Sequence, residues 1–222
     1  MIGYFDKVDK RIGKVDILRG ISFKIGEGVT LIVGPNGSGK STLIKLLVGF
    51  WRPTKGKVKL LGENPWNNYK LRQKVGISID PPSLPKYRRG IDVVKIMADI
   101  KDVKIDNHLV KRLFPNMDAL NRMIIEYSAG MRKRLSILLA LLGENKVLVL
   151  DEPFSGIDVS GISEVSKIIK EEAEKGTNIV VVSHMWKPLY DTVDRVVVLV
   201  GGEIGFIGDK DEGIKFLNKW GF

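Results

Sequence analysis

The chain has 222 residues, 44% of them hydrophobic, no cysteine, and a formal net charge of +10 at pH 7. That length suits one well-buried α/β domain, while the composition leaves no disulfide framework, no thiolate metal site and no low-complexity disorder. Lysine and arginine are scattered among acids, with short clusters at Lys86-Tyr87-Arg88-Arg89 and Arg132-Lys133-Arg134, so the positive balance reads as a solvated surface and no nucleic-acid partner is expected.

In chain order, Met1-Ile2-Gly3-Tyr4-Phe5-Asp6-Lys7 is too polar for a secretory signal, which fits a cytoplasmic location. Strands are predicted at Ile21–Ile25 and Val29–Val33, then a helix at Ser41–Val48, then strands at Val58–Leu61 and Val75–Ile79. Between Pro81 and Gly143 the alternation lapses. Val93, Val94, Ile96, Met97 and Ile100 recur at helical spacing, as do Leu109, Val110 and Leu113, and then Leu135, Leu138, Leu139 and Leu142. This stretch reads as a helical insert hung on the α/β core. The alternation resumes with a strand at Val147–Leu150, a helix at Ile162–Glu174 stopped by Gly176, and strands at Ile179–Val182, Val196–Val200 and Glu203–Ile207. Gly201-Gly202 between the last two marks a hairpin and an antiparallel edge, and a helix at Glu212–Trp220 follows. No apolar run approaches the roughly 18 to 20 residues of a membrane-spanning helix.

Three elements carry chemistry. Gly34-Pro35-Asn36-Gly37-Ser38-Gly39-Lys40-Ser41 sits between a β-branched strand and a helix that begins near Thr42, the setting in which this spacing cradles phosphates. Its backbone N–H groups would face phosphate oxygens, Lys40 would neutralise β- and γ-phosphate charge, and Ser41 would ligate Mg²⁺. Val147–Leu150 ends in Asp151-Glu152 at the carboxyl end of a parallel strand, where ligands bind. There Asp151 can hold Mg²⁺ through water and Glu152 can act as general base. Taken alone, the same pair is equally a strand end capped by solvated acids. Ser183-His184 repeats the arrangement, with His184 suited to a γ-phosphate oxygen. His108, in the polar insert, reads as a surface residue.

Together these residues resemble the ATP-binding cassette family, the nucleotide-hydrolysing subunits of membrane transporters. Leu150-Asp151-Glu152-Pro153 matches the second Walker motif, Ser155-Gly156-Ile157-Asp158 the loop after it, and His184 the switch histidine. Tyr127-Ser128-Ala129-Gly130-Met131, followed by basic Arg132-Lys133-Arg134, is similar to the family signature Leu-Ser-Gly-Gly-Gln. The resemblance implies a P-loop NTPase of α/β class: a mostly parallel central sheet, an antiparallel β edge and a helical subdomain inserted at about residues 81–143. One cassette would span residues 1–222.

It further implies an Mg²⁺-dependent ATPase in which two ATP molecules are sandwiched between head-to-tail copies, or between this chain and a homologous subunit. Ser128 and Gly130 would reach the γ-phosphate of the opposite copy, with Asp158 near the shared interface. A transmembrane permease would be the other partner, and the chain would lie peripherally at the inner face of the membrane. Arg52-Pro53-Thr54-Lys55-Gly56-Lys57-Val58 and Leu61-Gly62-Glu63-Asn64-Pro65 resemble the multidrug-export type. A soluble single-cassette ATPase, such as one serving iron–sulfur cluster assembly, and a non-hydrolysing nucleotide-gated module are the other readings; Glu152 and His184 argue against the last.

Five positions depart from the family, in three places. Tyr127, Ala129 and Met131 stand for leucine, glycine and glutamine in the signature. Asp80 stands where the family has its Mg²⁺-sensing glutamine, and an acid can meet Mg²⁺ but cannot donate as an amide does. Ile12, before Gly13, occupies the place of the aromatic that stacks on adenine, so either Ile12 packs on the base or Tyr4 or Phe5 substitutes.

Overall fold

The computed structural model describes residues 1–221; of the domain expected over residues 1–222, Phe222 lies outside the described residues. Two antiparallel strands open the chain, β1 (Gly3–Ile12) and β2 (Val15–Ile25), joined by a tight turn at Gly13-Lys14. Next come β3 (Val29–Val33), α1 (Lys40–Leu47), β4 (Lys55–Leu60), the short α2 (Tyr69–Arg72) and β5 (Val75–Ser78). The helical stretch contains α3 (Gly90–Lys101), α4 (Asn107–Leu113), two 3₁₀ turns and α5 (Ala129–Leu141). The chain then alternates through β6 (Val147–Asp151), α6 (Val159–Glu174), β7 (Asn178–Val182), β8 (Arg195–Val200), β9 (Glu203–Asp209) and α7 (Lys210–Trp220).

Six strands form one sheet in the order β5-β6-β7-β3-β8-β9, parallel throughout except for β9 against β8. The predicted strands and the antiparallel edge therefore appear where hydrophobic runs and the Gly201-Gly202 turn put them. A second sheet, β2-β1-β4, is antiparallel throughout. Of this sheet the sequence reading held only Ile21–Ile25 of β2 and Val58–Leu61 over β4, with no strand over 3–12. Register shifts between Phe5 and Val8, and again before Lys10, break the period-2 alternation of β1, and Lys7 adopts φ 48°.

Side chains alternate across the central sheet into two cores. Ile32, Val149, Val180, Val182 and Val197 pack under α1 and the second sheet, with Leu43, Leu47, Phe5 and Leu18. Leu31, Leu148, Leu150, Val181 and Val198 pack against α5, α6 and α7 and the helical stretch, with Leu138, Ile168, Leu217 and Val94. A fully buried Leu, Ile or Val contributes roughly 1.5–3 kcal/mol, so these two layers hold the parallel strand ends in register.

Candidate active site

Strand order decides which functional residues meet. β5, β6, β7 and β3 are neighbours and parallel, so Asp80, Asp151-Glu152, His184 and the 34–41 loop all emerge along one edge of the sheet. Asp151 lies opposite Val182, and the Glu152 N–H donates to the Val182 carbonyl at 2.8 Å, which draws the acids toward the end of β7.

The phosphate-type loop leaves β3 and enters α1 through Gly39, whose φ of 99° is one that side-chain-bearing residues rarely adopt. No side chain caps this helix, so its first N–H groups keep their free direction toward an anion. β2 crosses the loop closely: a methyl group on Gly39 would lie 2.6 Å from Leu18 Cδ2. Lys40 is only 8% exposed, and its Nζ donates to the carbonyls of Gly34 and Pro35 at 2.8 and 3.0 Å. Burial lowers its pKa, while Glu152 and Asp151 pull it back up. Pro35, Asn36 and Gly37 are exposed, Ser38 is buried with an unpartnered hydroxyl, and Ser41 and Thr42 are half-buried on the first turn of α1.

Asp151 is 1% exposed, and neither of its carboxylate oxygens has a hydrogen-bond partner. Burial raises its pKa; the Ser41 hydroxyl and the charge of Lys133 oppose this, and repulsion from Asp80 and Glu152 adds a smaller upward push. Two orphaned buried acceptors at the end of a strand are a strained arrangement unless a cation or donor arrives. Among the described residues no cluster of three or more His, Cys, Asp or Glu forms a metal cage. The donor set of one buried carboxylate and a hydroxyl instead suits Mg²⁺, which usually takes one or two protein ligands and completes its shell with phosphates and water.

Glu152 has φ 48°, a strained conformation for a residue with a side chain. Its Oε2 meets Nδ1 of His184 at 2.8 Å. His184 borders a cleft of about 430 Å³ with Gly34, Pro35, Asn36 and Trp220, so the structure joins it to the loop. Trp220 was legible only as a helical residue; α7 carries it to the phosphate loop through sheet topology alone.

The predicted signature folds as an N-cap. Ser128 Oγ accepts from the Met131 N–H at 3.1 Å and starts α5. Tyr127 is buried against Phe114, with ring centroids 6.3 Å apart, so its departure from leucine is a matter of core packing. Gly130 packs on the loop after β6, where a methyl group would lie 2.4 Å from the Gly156 carbonyl oxygen. Asp158 caps α6 by accepting from the Gly161 N–H at 3.0 Å and also pairs with Arg134; that backbone hydrogen bond, chiefly, lowers its pKa.

Two expectations change. Phe5 is buried and stacked on Phe23 at 5.0 Å, which removes it from adenine contact. Ile12 is 45% exposed at the tip of the β1–β2 hairpin, opposite Val15, and Tyr4 is half-buried. Asp80 is not a free acid: its Oδ1 is 2.6 Å from Nζ of Lys133, a residue that the sequence showed only as part of a basic cluster, while its side chain stays 35% exposed.

The ABC transporter family model matches residues 18–155. The chain is 35% identical over 208 residues to an uncharacterized ABC transporter ATP-binding protein, YdbJ, of Bacillus subtilis, covering 90% of this chain and 67% of that one. It is 34% identical over 199 residues to the lantibiotic transport ATP-binding protein SrtF of Streptococcus pyogenes, covering 88% and 85%. Among solved structures, a dimeric post-hydrolysis state of an ATP-binding cassette bound to ADP and Pi matches with a TM-score of 0.84 at 21% identity, over 94% of this chain and 99% of that one. A nucleotide-free cassette from an ABC transporter matches with a TM-score of 0.78 at 23% identity, over 98% and 95%. Sequence and fold agree: the chain belongs to the ABC transporter family, as one of its ATP-binding ATPase subunits.

Proposed function

We propose that this chain powers a membrane transporter by closing a head-to-tail dimer on two ATP molecules and reopening it on hydrolysis. The observation that carries this reading is the meeting of the 34–41 loop, Asp151, Glu152 and His184 along one sheet edge, with the Ser128 helix start in the same chain but on a different element. A γ-phosphate held by Lys40 and the N–H groups of α1 needs a second anion-binding surface on its open side. Ser128 and Gly130 of another copy have the chemistry to supply it.

In this scheme Gly34 to Thr42 bind the phosphates, and Lys40 exchanges its loop carbonyls for phosphate oxygens. Mg²⁺ would be held by Ser41 and, through water, by Asp151, whose unpartnered oxygens fit it, and would offset phosphate charge. Glu152 takes the proton of the attacking water, and His184 holds Glu152 in place and meets the γ-phosphate. Ile12 packs on adenine, and Asp158 lies near the dimer interface. Residues 1–222 act as one cassette, with the insert over about 81–143 contacting the permease. An apolar groove of about 550 Å³ lined by Phe50, Ile77, Ile79, Leu84, Met97 and Leu139 supports that docking role. A permease would hold the chain at the inner membrane face; among the described residues no helix is long and apolar enough to cross a membrane.

The test is the mass of the unaltered chain by light scattering with ATP, with and without Mg²⁺, beside its phosphate release. ATP-dependent doubling of mass with turnover supports the reading; turnover by a strict monomer removes the sandwich.

A further inference from the structure

Lys133 heads the largest fully buried side chains of the molecule, at 1% exposure. It lies in the second turn of α5 and turns inward. Its Nζ contacts Asp80 Oδ1 at 2.6 Å, the Asp151 backbone carbonyl at 3.0 Å and the Ile79 carbonyl at 3.5 Å. An ammonium has three N–H donors, and these three oxygens come from two separate segments. Asp80 is the only carboxylate within ion-pairing distance of Lys133 among the described residues. A buried ammonium deprived of its counter-ion is strongly unfavourable, so the Asp80 charge is already engaged through Oδ1.

We infer that Asp80 serves as the counter-ion of Lys133 instead of as a ligand for the divalent cation, and that Lys133 is a positioning residue. It ties the helix begun by Ser128 to the strand end carrying Asp151 and Glu152, and to the loop beside the apolar groove. Ile79, whose carbonyl Lys133 meets, itself lines that groove. A partner segment seated in the groove would thus act on the Asp151 backbone through one lysine. This role rests on the ATPase reading proposed above.

The pair can be removed without detaching α5. A buried hydrogen bond of 2.8 Å between the hydroxyls of Ser78 and Ser136 joins β5 to the same helix independently. The experiment is a double-mutant cycle on the full chain with Asp80→Asn, Lys133→Gln and both together. Three quantities are read: Tm without nucleotide, the Mg²⁺ concentration for half-maximal MgATP binding, and kcat with KM.

Asp80→Asn strands the buried charge and should lower Tm by about 5 °C or more. It should cut kcat about tenfold or more through misplacement of the acidic strand end. The double variant, with two amides that can hydrogen-bond each other, should recover most of both losses, and any rise in the Mg²⁺ requirement of the single variants should be reversed with them. Additive losses would overturn the proposal, as would a raised Mg²⁺ requirement in Asp80→Asn whatever stands at 133. Failure of the unaltered chain to bind ATP would instead sink the ATPase reading. In that event the Tm cycle still decides whether the two residues act as a pair.

Discussion

Nδ1 of His184 lies 2.8 Å from Oε2 of Glu152, and the His184 backbone N–H points to the same oxygen at 3.3 Å. An ionised carboxylate only accepts, so the imidazole donates from Nδ1 and Nε2 is left for an outside partner. Glu152 is thereby held at the end of β6 in a conformation its backbone alone would avoid. Glu152→Gln should keep ATP binding, lose turnover by about 10²-fold or more, and accumulate an ATP-bound dimer. Phosphate release at the rate of the unaltered chain would remove the general-base role.

Lys40 sits on two loop carbonyls with its charge disfavoured by burial, so it has reason to leave them for phosphate oxygens. Lys40→Ala should weaken ATP binding by about ten- to a hundredfold, because it removes a charge-assisted contact worth roughly 1.5–3 kcal/mol. Equilibrium binding of a fluorescent ATP analogue measures this. Unchanged affinity refutes the phosphate assignment.

Gly130 meets the Gly156 carbonyl too closely for any side chain. Gly130→Ala should cost about 1–3 kcal/mol of stability and shift the helix start. Monomeric ATP binding through Lys40 should survive while ATP-dependent dimerisation fails. Thermal unfolding and light scattering separate the two effects; dimerisation at normal strength would show that the helix start is not part of the interface.

Ile12 is exposed on a hairpin, and β2 of that hairpin crosses the loop at Gly39. Ile12→Tyr should tighten ATP binding several-fold, since an aromatic face adds about 0.5–1.5 kcal/mol against a base. Calorimetry with ATP and with tripolyphosphate isolates the base contribution. A gain shared by both ligands would exclude adenine packing.

Arg112 of α4 pairs with Glu164 and with both oxygens of Glu171 on α6, at 2.5 and 2.9 Å for the latter. The guanidinium holds the Glu171 carboxyl below its ordinary pKa. A carboxylate depressed in the folded state adds stability above its unfolded pKa and loses it as pH falls through the folded value. Arg112→Met should therefore cost about 1 kcal/mol from pH 5 to neutrality, discounted for the exposure of Glu171, and this cost should shrink below about pH 4. Urea unfolding across pH 3–7 checks the sign; a cost that grows with acid would contradict it.

Much of this site was legible before the fold. The 34–41 spacing, the apolar run into Asp151-Glu152 and the strand ending at His184 each carry a period or motif that local physics explains. The central strand of the second sheet, β1, was not legible, because bulges erase its alternation. Nor was Phe5's burial, since one aromatic in a polar segment reads the same whether it faces a core or a base.

The sequence by itself determined the phosphate loop, the acid pair, the helix stop at Gly176 and the class of fold, because these depend on residue type at short spacing. Only the tertiary structure decided which of them share a site. Strand order β5-β6-β7-β3 sets Asp80, Asp151, Glu152, His184 and Lys40 along one edge. It also decided that Lys133, one cation in a basic run, turns inward to Asp80, 53 positions away. Such a pairing is set by helix packing on the sheet, and no local pattern encodes it.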